Sequence, residues 1–448
     1  MRIIHYEFNV TAFLTGLDHR TPRVGVLFAG LGAISTTLIA GVAAIKRGLA
    51  KPVGSLALLG TLDVGSKAEP RYVNIKDRVD LAHLDDLIFG AWDVIETDGY
   101  QASVRAAALD PELIEAVAPE LKAVRAWPGV FVQRFNRRVP GAFHKTGADF
   151  MDLVEQVRAD IVEFQRERGL TSSVLLWCGS TEAFLEPSPA HDTLNAFEAA
   201  LRANDHTVIA PSMVYAYAAL SIGVPFVNAT PSRTADIPAL IELALANSAP
   251  TAGKDLKTGQ TLIKTILAPG LRDRMLGLRG WYSTNILGNR DGETLDDPDA
   301  LRTKRESKLA VLDSILRPDL YPDLYQNLSH QVQITYYPPR GDNKESWDAI
   351  DLFGWLGYPM ELKIDFLCRD SILAAPLLLD LILFMDLAKR KGLGGPQEWL
   401  SFYFKSPVCM NGHKATHELS VQLAHLKDQL HQFVEDSAPR ETVDVLST

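Results

Sequence analysis

The sequence predicts an α/β protein in which buried parallel strands alternate with helices, followed by a region with a more open sheet. Short apolar runs bounded by glycine or polar residues recur through the first half of the chain, and such runs are typical of strands buried on both faces. Segments with helical spacing separate them, which favours a parallel sheet. After Pro250 the pattern changes to strands with one polar face.

The first strand and the first helix are the clearest elements. The apolar run Val24–Ala29 ends at Gly30, and helical spacing over residues 35–47 stops at Gly48. A strand, a glycine-rich turn and a helix in this order open a Rossmann-type unit. Further strands are expected at residues 55–59, 86–91, 173–178, 208–210 and 225–228, and further helices at residues 149–168 and 193–203.

The rest of the chain departs from this regular alternation. Residues 100–147 carry more charge and predict an excursion from the sheet. Residues 331–337 and 361–367 alternate like strands with one packed face, so they predict a second, open sheet that carries a subunit interface. The apolar run 373–387 contains Pro376, Asp380 and Asp386, so it predicts a buried helix and no membrane span.

Composition limits the classes of function. The chain has 448 residues, 47% of them hydrophobic, which allows two or three domains. A formal net charge of −10 argues against a nucleic-acid partner. The three cysteines, Cys178, Cys368 and Cys409, are far apart, so neither a disulfide framework nor a zinc site is expected and a reducing cytoplasm fits. The first 23 residues lack the sustained apolar core of a secretory signal.

The glycine loop after the first strand is a candidate dinucleotide site. Gly30 permits a tight turn, and Gly32 lets a pyrophosphate approach the first N–H groups of the following helix. Ser35 and Thr36 add hydroxyl groups. The alternative is a turn that uses glycine purely for packing. No acid stands about 20 residues on, where the ribose would be bound; Asp93 is the candidate, with a helix cap as the alternative.

Polar segments in the second half point to an anionic, hydroxylated ligand. Residues 253–261 contain Lys257, Thr258 and Gly259 before a helical run and fit a phosphate cradle, or Thr258 is a helix cap. Residues 285–292 hold Asn285 and Asn289, suited to sugar hydroxyls or simply to a turn.

Four lysines stand out, each with a plainer alternative. Lys304 and Lys308 share one helical face and either meet an anion or solvent. Lys344 follows a turn, and Lys405 follows three aromatic residues, where burial would favour the neutral amine. Surface charges, or a lysine stem that covers aromatic rings, are the alternatives. The pair His413 and His417 reads as a surface pair because no third metal ligand is near.

Together, these segments resemble the inositol-3-phosphate synthase family, in the shorter bacterial form, from Val24 to about Pro407. The order and spacing of six stretches carry the resemblance: residues 253–261, 285–292, 303–308, 341–344, 368–376 and 404–407. The resemblance implies an NAD-binding Rossmann-type domain, residues 1–250, and an α+β catalytic and tetramerisation domain with an open sheet, residues 251–372. It also implies that residues 373–448 are a helical segment that returns to the first domain.

The family's site residues carry over at matching positions. The resemblance implies a substrate site made of Lys257, Thr258, Gly259, Gln260, Thr261, Asn285, Asn289 and Lys308. The implied catalytic residues are Lys304, Lys344, Lys405, Asp255 and Asp370. The implied NAD contacts are Gly30, Gly32, Ala33, Ser35, Thr36, Asp93, Asp255, Asp291, Asp370 and Ser371.

The implied reaction converts glucose 6-phosphate to inositol phosphate with recycled NAD. Oxidation at C5 acidifies the C6 protons, an enolate attacks C1, and the ketone is reduced again. Lys304 is the first choice to accept the C5 hydroxyl proton, while Lys344 and Lys405 would stabilise negative charge. The resemblance also implies a cytoplasmic homotetramer without nucleic-acid or membrane partners, and some members respond to a monovalent or divalent cation.

Two other functions are kept as alternatives. The first is a sugar-phosphate dehydrogenase that stops at the ketone and releases NADH. The second is a non-catalytic NAD-binding protein. Four lysines at family positions argue against the dehydrogenase, and the presence of Lys304 and Lys405 argues against the non-catalytic protein.

Overall fold

A seven-stranded parallel sheet with helices on both faces forms the larger part of the fold. The computed structural model describes residues 23–66, 68–410 and 415–435, and it leaves the side chains of residues 305–310 undescribed. The expectations for the N-terminal leader and for His413 therefore lie outside the described residues. The strands are β1 (Val24–Ala29), β2 (Thr61–Asp63), β3 (Tyr72–Asn74), β4 (Leu87–Asp93), β5 (Ala126–Pro128), β6 (Ser172–Trp177), β7 (Phe226–Asn228), β8 (Pro250–Gly253), β9 (Gly277–Leu287), β10 (Ser329–Tyr336), β11 (Asn343–Phe353), β12 (Pro359–Arg369) and β13 (Gly395–Pro396).

Helices cover both faces of this sheet and one face of a second sheet. Most of the longer ones begin at a residue whose side chain or glycine backbone suits an N-cap, such as Asp149 before α7. The helices are α1 (Ala33–Lys46), α2 (Leu56–Leu59), α3 (Ile75–Arg78), α4 (Gly99–Ala106), α5 (Pro111–Ala116), α6 (Ala118–Lys122), α7 (Phe150–Arg168), α8 (Leu194–Arg202), α9 (Pro211–Ser221), α10 (Pro238–Ala246), α11 (Gly259–Asp273), α12 (Arg290–Leu295), α13 (Pro298–Leu316), α14 (Pro322–Tyr325), α15 (Asp370–Arg390) and α16 (Leu419–Glu435).

The central strand β1 shows why the strands are apolar throughout. The sheet order is β13-β8-β7-β6-β1-β4-β5, and all neighbours are parallel. Alternate residues of β1 enter two separate cores, with Val26 and Phe28 on one face and Leu27 and Ala29 on the other. The first core is completed by α1, α15 and α16, and the second by α7, α9 and α10. The predicted parallel sheet is confirmed.

The apolar helix α15 is a core element. It is long and apolar enough to cross a membrane by length and composition, but 72% of its most apolar window is buried inside the protein. The two acids inside this apolar run, Asp380 and Asp386, are also buried and paired. Asp380 accepts hydrogen bonds from Ser55 and Tyr403, and Asp386 from Ser172 and Arg390. The predicted buried helix is confirmed. Its acids can be buried because their hydrogen bonds offset the cost of removing the carboxylates from water.

A second sheet lies beside the first, in the order β10-β9-β11-β12. Strand β10 runs parallel to β9, while β11 is antiparallel to both of its neighbours. Helices α11 and α13 pack on one face, around Trp281 and Ile350. The other face leaves Trp347 37% and Leu367 61% exposed. The predicted open sheet is confirmed.

Two predicted strands were wrong, and one predicted excursion from the sheet holds only in part. Residues 56–59 form α2, because the Ser55 hydroxyl accepts from the N–H of Leu58 and caps a turn. An apolar run this short does not distinguish a strand from a helix. Residues 208–210 form the loop before α9. The excursion over residues 100–147 is mostly outside the sheet, but it contributes β5 to the sheet edge.

The chain leaves the seven-stranded sheet after β8 and returns to it at β13, where Gly395 pairs with Pro250. Between these strands it builds the second sheet and α15. The domain limits at residues 250 and 372 stay predictions.

Candidate active site

One large cavity, about 480 Å³ in volume, opens at the carboxyl ends of the parallel strands. Strands β1, β4 and β6 end there with Ala29, Asp93 and Trp177. The opposite wall comes from residues that follow β8, among them Asp255, Asp291 and Lys304, and from the segment around Lys405. Ligand sites of parallel α/β proteins are expected at this edge, because the strand order changes direction there.

The glycine loop forms one end of the cavity. Gly30 has φ = +110°, and a Cβ atom added to it would lie 2.7 Å from the backbone N of Gly179, so only glycine fits. Gly32 is the N-cap of α1 and faces open space. Ala33 also lines the cavity. The N–H groups of the first helical turn have no helical acceptors, so the loop fits the pyrophosphate of a dinucleotide.

The hydroxyls predicted to assist the loop are used within it. Ser35 Oγ donates to the carbonyl of Gly30 at 2.7 Å, and Thr36 Oγ1 donates to that of Gly32 at 2.9 Å. Both residues are almost fully buried behind the cavity wall. They shape the glycine loop and do not reach the cavity.

Gly32 allows a direct test of this loop. Gly32→Val is expected to weaken NAD binding at least about ten-fold, since the new side chain would occupy the space through which a pyrophosphate approaches the helix. Gly32 has an ordinary φ of −104°, so the thermal midpoint should change little. Isothermal titration calorimetry with NAD measures the effect. Gly41→Ala, in the same helix and also with open space around it, is the control; unchanged NAD affinity in Gly32→Val would contradict the assignment.

Asp93 connects β4 to the glycine loop. Its Oδ2 accepts from the N–H of Leu31 at 2.8 Å, and its Oδ1 from the N–H of Ile95 at 2.9 Å. Burial raises the pKa of this carboxyl, although both backbone hydrogen bonds oppose the rise. Helix α4 is capped by Asp98 instead. Asp93 lines the cavity, as its predicted ribose contact requires.

The far wall of the cavity carries a cluster of lysines and aspartates. Asp255 Oδ1 lies 3.0 Å from Lys405 Nζ and 3.4 Å from Lys304 Nζ. Lys344 Nζ lies 2.8 Å from Asp370 Oδ2. All three lysines are at least 92% buried. Residues separated by up to 150 positions in the chain are thus brought together, and all but Lys344 are among the residues that line the cavity.

The three lysines differ in their preference for the proton. Burial alone would lower the pKa of Lys304, but the carboxylates of Asp255 and Asp291 raise it above its ordinary value. The pKa of Lys344 is also raised, because Asp370 outweighs burial. Burial, followed by repulsion from Lys304 and Lys344, leaves the pKa of Lys405 below its ordinary value despite Asp255. Burial would raise the pKa of Asp370, but the nearby lysines hold it well below its usual range.

The predicted phosphate string is divided by the fold. Thr258 lines the cavity at the N-cap of α11, without a side-chain cap bond, and Gly259 follows with φ = +54°. Gln260 and Asn285 bond to each other at 2.5 Å inside the protein, and Gln260 also donates to the carbonyl of Thr284. Thr261 is likewise buried. Of the five residues 257–261, only Thr258 lines the cavity.

Lys257 points away from the cavity. Its ammonium group donates to Gln422 on α16, and burial lowers its pKa to about 7. His417, predicted to be on the surface, is only 8% exposed, and burial lowers its pKa to about 4. Sequence reasoning missed the contact of Lys257 with Gln422 because the two residues are 165 positions apart in the chain.

Four other predicted residues take separate positions. Asn289 caps α12 and donates to Asp342 Oδ1 at 3.0 Å, and Asp291 and Ser371 line the cavity. Lys308 lies one turn after Lys304 in α13, but its side chain is outside the described part. Asp342 was not predicted; it lines the cavity, and its Oδ2 is buried without a hydrogen-bond partner in the described residues. Its only signal in the sequence is its place two residues before Lys344.

Comparisons with known proteins agree with this geometry. The family model for myo-inositol-1-phosphate synthase, an NAD-binding family, matches residues 24–431. The chain is 47% identical over 420 residues to inositol-3-phosphate synthase 1 of Bacteroides thetaiotaomicron, covering 94% of this chain and 97% of the relative. It is 31% identical to inositol-3-phosphate synthase 1 of Oryza sativa subsp. japonica, covering 96% and 88%. The crystal structure of inositol-3-phosphate synthase from Caenorhabditis elegans matches with a TM-score of 0.86 at 26% identity, covering 93% and 86%.

The parallel sheet, the glycine loop and the cavity at the sheet's carboxyl edge define a dinucleotide-binding enzyme of the Rossmann class. The matches extend over nearly the full length of this chain and of the Bacteroides relative. The chain belongs to the myo-inositol-1-phosphate synthase family.

Proposed function

We propose that the protein converts D-glucose 6-phosphate to 1D-myo-inositol 3-phosphate. The observation that carries this proposal is a lysine–aspartate cluster facing the glycine loop across one cavity. A simple dehydrogenase needs a cofactor site and one base. Three buried lysines suit a reaction that also stabilises an enolate and a new alkoxide in a site shielded from water.

The pKa directions support a division of labour between the lysines. NAD, when bound, supplies the oxidation and later the reduction at C5. We assign acceptance of the C5 hydroxyl proton to Lys405, because the pKa of this lysine is lowered while those of Lys304 and Lys344 are raised, so Lys405 is the lysine of the cluster that gives up its proton most readily. The sequence prediction gave this role to Lys304, whose raised pKa favours a permanent cation. Lys304 and Lys344 then stabilise negative charge on the sugar oxygens.

The substrate phosphate is assigned to the N-terminus of α11. Thr258 supplies a hydroxyl that is not used as a helix cap, and Gly259 begins the helix, whose first N–H groups have no helical acceptors. Lys308 is the remaining predicted cation for this group. Asp255 and Asp370 hold Lys405, Lys304 and Lys344 in place and prevent their mutual repulsion from dispersing them.

A product assay tests the proposal. Purified protein is incubated with glucose 6-phosphate and an amount of NAD far below that of the sugar, and NADH absorbance and inositol phosphate are followed together. Inositol phosphate in excess over NAD, without net NADH, is the expected result. NADH in proportion to sugar, without cyclised product, would instead establish the dehydrogenase; no reaction in either channel would favour a binding role.

A cation requirement is proposed separately from the lysine chemistry. Among the described residues, no group of three or more His, Cys, Asp or Glu side chains is arranged to hold a metal ion. The same assay with EDTA-treated protein, supplied with K⁺, NH₄⁺ or Mg²⁺ in turn, distinguishes a monovalent from a divalent requirement.

The open face of the second sheet is proposed as the interface of a homotetramer. The turn between β11 and β12 leaves Trp355 86%, Leu356 78% and Tyr358 70% exposed. Apolar surface of this kind is typical of contacts between subunits. A cytoplasmic location is proposed as well, consistent with three free cysteines.

Removing this apolar surface is expected to dissociate the assembly. The variant Trp355→Ser/Leu356→Ser should sediment as dimer or monomer under conditions where the unchanged protein is a tetramer, because it loses apolar area that the contact would bury. Analytical ultracentrifugation measures the mass. Tyr72→Ser, at an aromatic residue of β3 that is 65% exposed, is the control and should stay tetrameric. A tetramer that survives the double substitution would place the interface elsewhere.

A further inference from the structure

Glu182 is a buried carboxyl group next to the cavity to which neither the sequence nor the family comparison gave a role. It lies five residues after the end of β6 and is 2% exposed. The preceding residues, Gly179, Ser180 and Thr181, line the cavity. The side chain of Glu182 points away from the cavity into the protein, so it does not act on a ligand directly.

The carboxyl group of Glu182 is bound to the start of α9. Its Oε1 accepts from the N–H of Ser212 at 2.9 Å, and its Oε2 from the Ser212 hydroxyl at 2.5 Å. Thr234 in turn donates to Ser212 Oγ at 2.8 Å. Pro211, the residue before Ser212, lines the cavity. The side chain therefore joins the loop after β6 to a second cavity-lining segment.

The backbone of Glu182 joins two more such segments. Its N–H donates to Ser232 Oγ at 3.1 Å, in the loop where Thr230 and Pro231 line the cavity. Its carbonyl accepts from Thr303 Oγ1 at 3.1 Å. Thr303 directly precedes Lys304 in α13. One residue thus connects three loops at the edge of the parallel sheet to α13, the helix that carries Lys304.

We propose that Glu182 is a positioning residue, which fixes Thr303 and thereby holds Lys304 against Asp255 in the cavity. The side chain and N–H of Glu182 anchor one side of its carbonyl, and the N–H of Ala183, which donates to the carbonyl of Phe135 at 2.9 Å, anchors the other. Thr303 Oγ1 also lies 3.3 Å from the carbonyl of Asp299, which accepts from the N–H of Phe184. Loss of the carboxyl removes the first anchor and loosens the acceptor of Thr303 that lies outside its own helix. The inference rests on the proposed function, in which Lys304 stabilises negative charge on the sugar.

The chemistry of the site supports a functional reason for this residue. Burial raises the pKa of Glu182 to about 7, against the hydrogen bonds from Ser212. Ionising a buried carboxyl costs stability, and an apolar side chain would fill a purely structural position at lower cost. The carboxyl group is present where its two acceptor atoms are needed to hold the start of α9.

The test compares Glu182→Ala and Glu182→Gln with a control at the other end of the sheet. Asp386→Ala removes an equally buried carboxylate that also accepts from a serine, Ser172, but at the beginning of β6. The kcat of inositol phosphate formation should fall roughly 10- to 100-fold in Glu182→Ala, because small displacements of a catalytic group have effects of this size. Glu182→Gln, which keeps an acceptor for Ser212, should recover most of it, and Asp386→Ala should keep the unchanged kcat per folded molecule.

Hydrogen–deuterium exchange gives a readout that does not depend on activity. Amides of residues 299–304 should exchange at least about ten-fold faster in Glu182→Ala than in the unchanged protein and in Asp386→Ala. If the unchanged protein makes no inositol phosphate, the proposed function fails, and the exchange rates still decide the positioning role. Unchanged exchange over these residues, or equal losses of kcat in Glu182→Ala and Asp386→Ala, would overturn the inference.

Discussion

Replacing Lys405 by arginine is expected to lower kcat by about 10²- to 10⁴-fold, the range associated with loss of a general base. A guanidinium group keeps the positive charge but does not release its proton near neutral pH. The amine of Lys405 is the one whose pKa is lowered within the cluster, through burial and through repulsion from Lys304 and Lys344. Charge alone therefore does not replace it.

The corresponding change at Lys304 separates the two roles. Lys304→Arg keeps a permanent cation and is expected to retain much more activity than Lys405→Arg, within about 30-fold of the unchanged enzyme. Steady-state kinetics of inositol phosphate formation measure both variants. Lys389→Arg is the matched control, since Lys389 also has a lowered pKa caused by burial but bonds to the carbonyl of Ser248 outside the cavity. An inactive Lys304→Arg beside an active Lys405→Arg would return the proton-accepting role to Lys304.

Replacing Asp255 by asparagine is expected to damage both stability and catalysis. Its carboxylate lies 3.0 Å from Lys405 Nζ and 3.4 Å from Lys304 Nζ, and all three side chains are at most 9% exposed. Removing one partner of a buried ion pair costs about 3–5 kcal/mol, because the remaining charge stays buried without compensation. The free energy of unfolding, measured with urea, should fall by an amount of this order.

The pH dependence of this loss provides a second check. Without Asp255, Lys405 loses the carboxylate that opposes its lowered pKa, so its pKa falls further below that of the unfolded chain and the unfolded state binds more protons. Stability of Asp255→Asn should then rise with pH towards the ordinary lysine pKa, and the deficit should be smaller at pH 9 than at pH 6. Asp351→Asn, at an acid on the exposed part of β11, is the control. A deficit that is independent of pH would contradict buried, charged lysines in the variant.

The sequence predicted the larger features because they depend on local patterns. The run Val24–Ala29 is apolar at every position since β1 is covered on both faces, whereas residues 361–367 alternate because one face of β12 packs and the other is open. A strand buried on two faces is apolar at every position, and a strand buried on one face alternates between apolar and polar residues, so both can be recognised in the sequence. The strand expected at residues 55–59 failed because a five-residue run holds too little periodicity to distinguish the two structures.

The candidate site could be predicted from the sequence only in part. Thr258 and Lys257 are neighbours in one motif, yet one lines the cavity and the other bonds to Gln422. Ser35 and Thr36 follow a glycine loop, yet their hydroxyls bond to its backbone. A motif identifies which residues are present in a segment, but the direction of each side chain is decided by the elements that pack against it.

The sequence by itself determined the fold class, the family and the use of NAD, because hydrophobic periodicity and motif order are properties of the linear chain. Only the tertiary structure decided which side chains meet: Asp255 contacts Lys304 and Lys405, and Asp370 contacts Lys344. It also decided that Glu182 joins the loop after β6 to the loop after β7 and to helix α13. These contacts join residues 26 to 150 positions apart. Their energies depend on burial and on distances of a few ångströms, which arise only when the chain has folded.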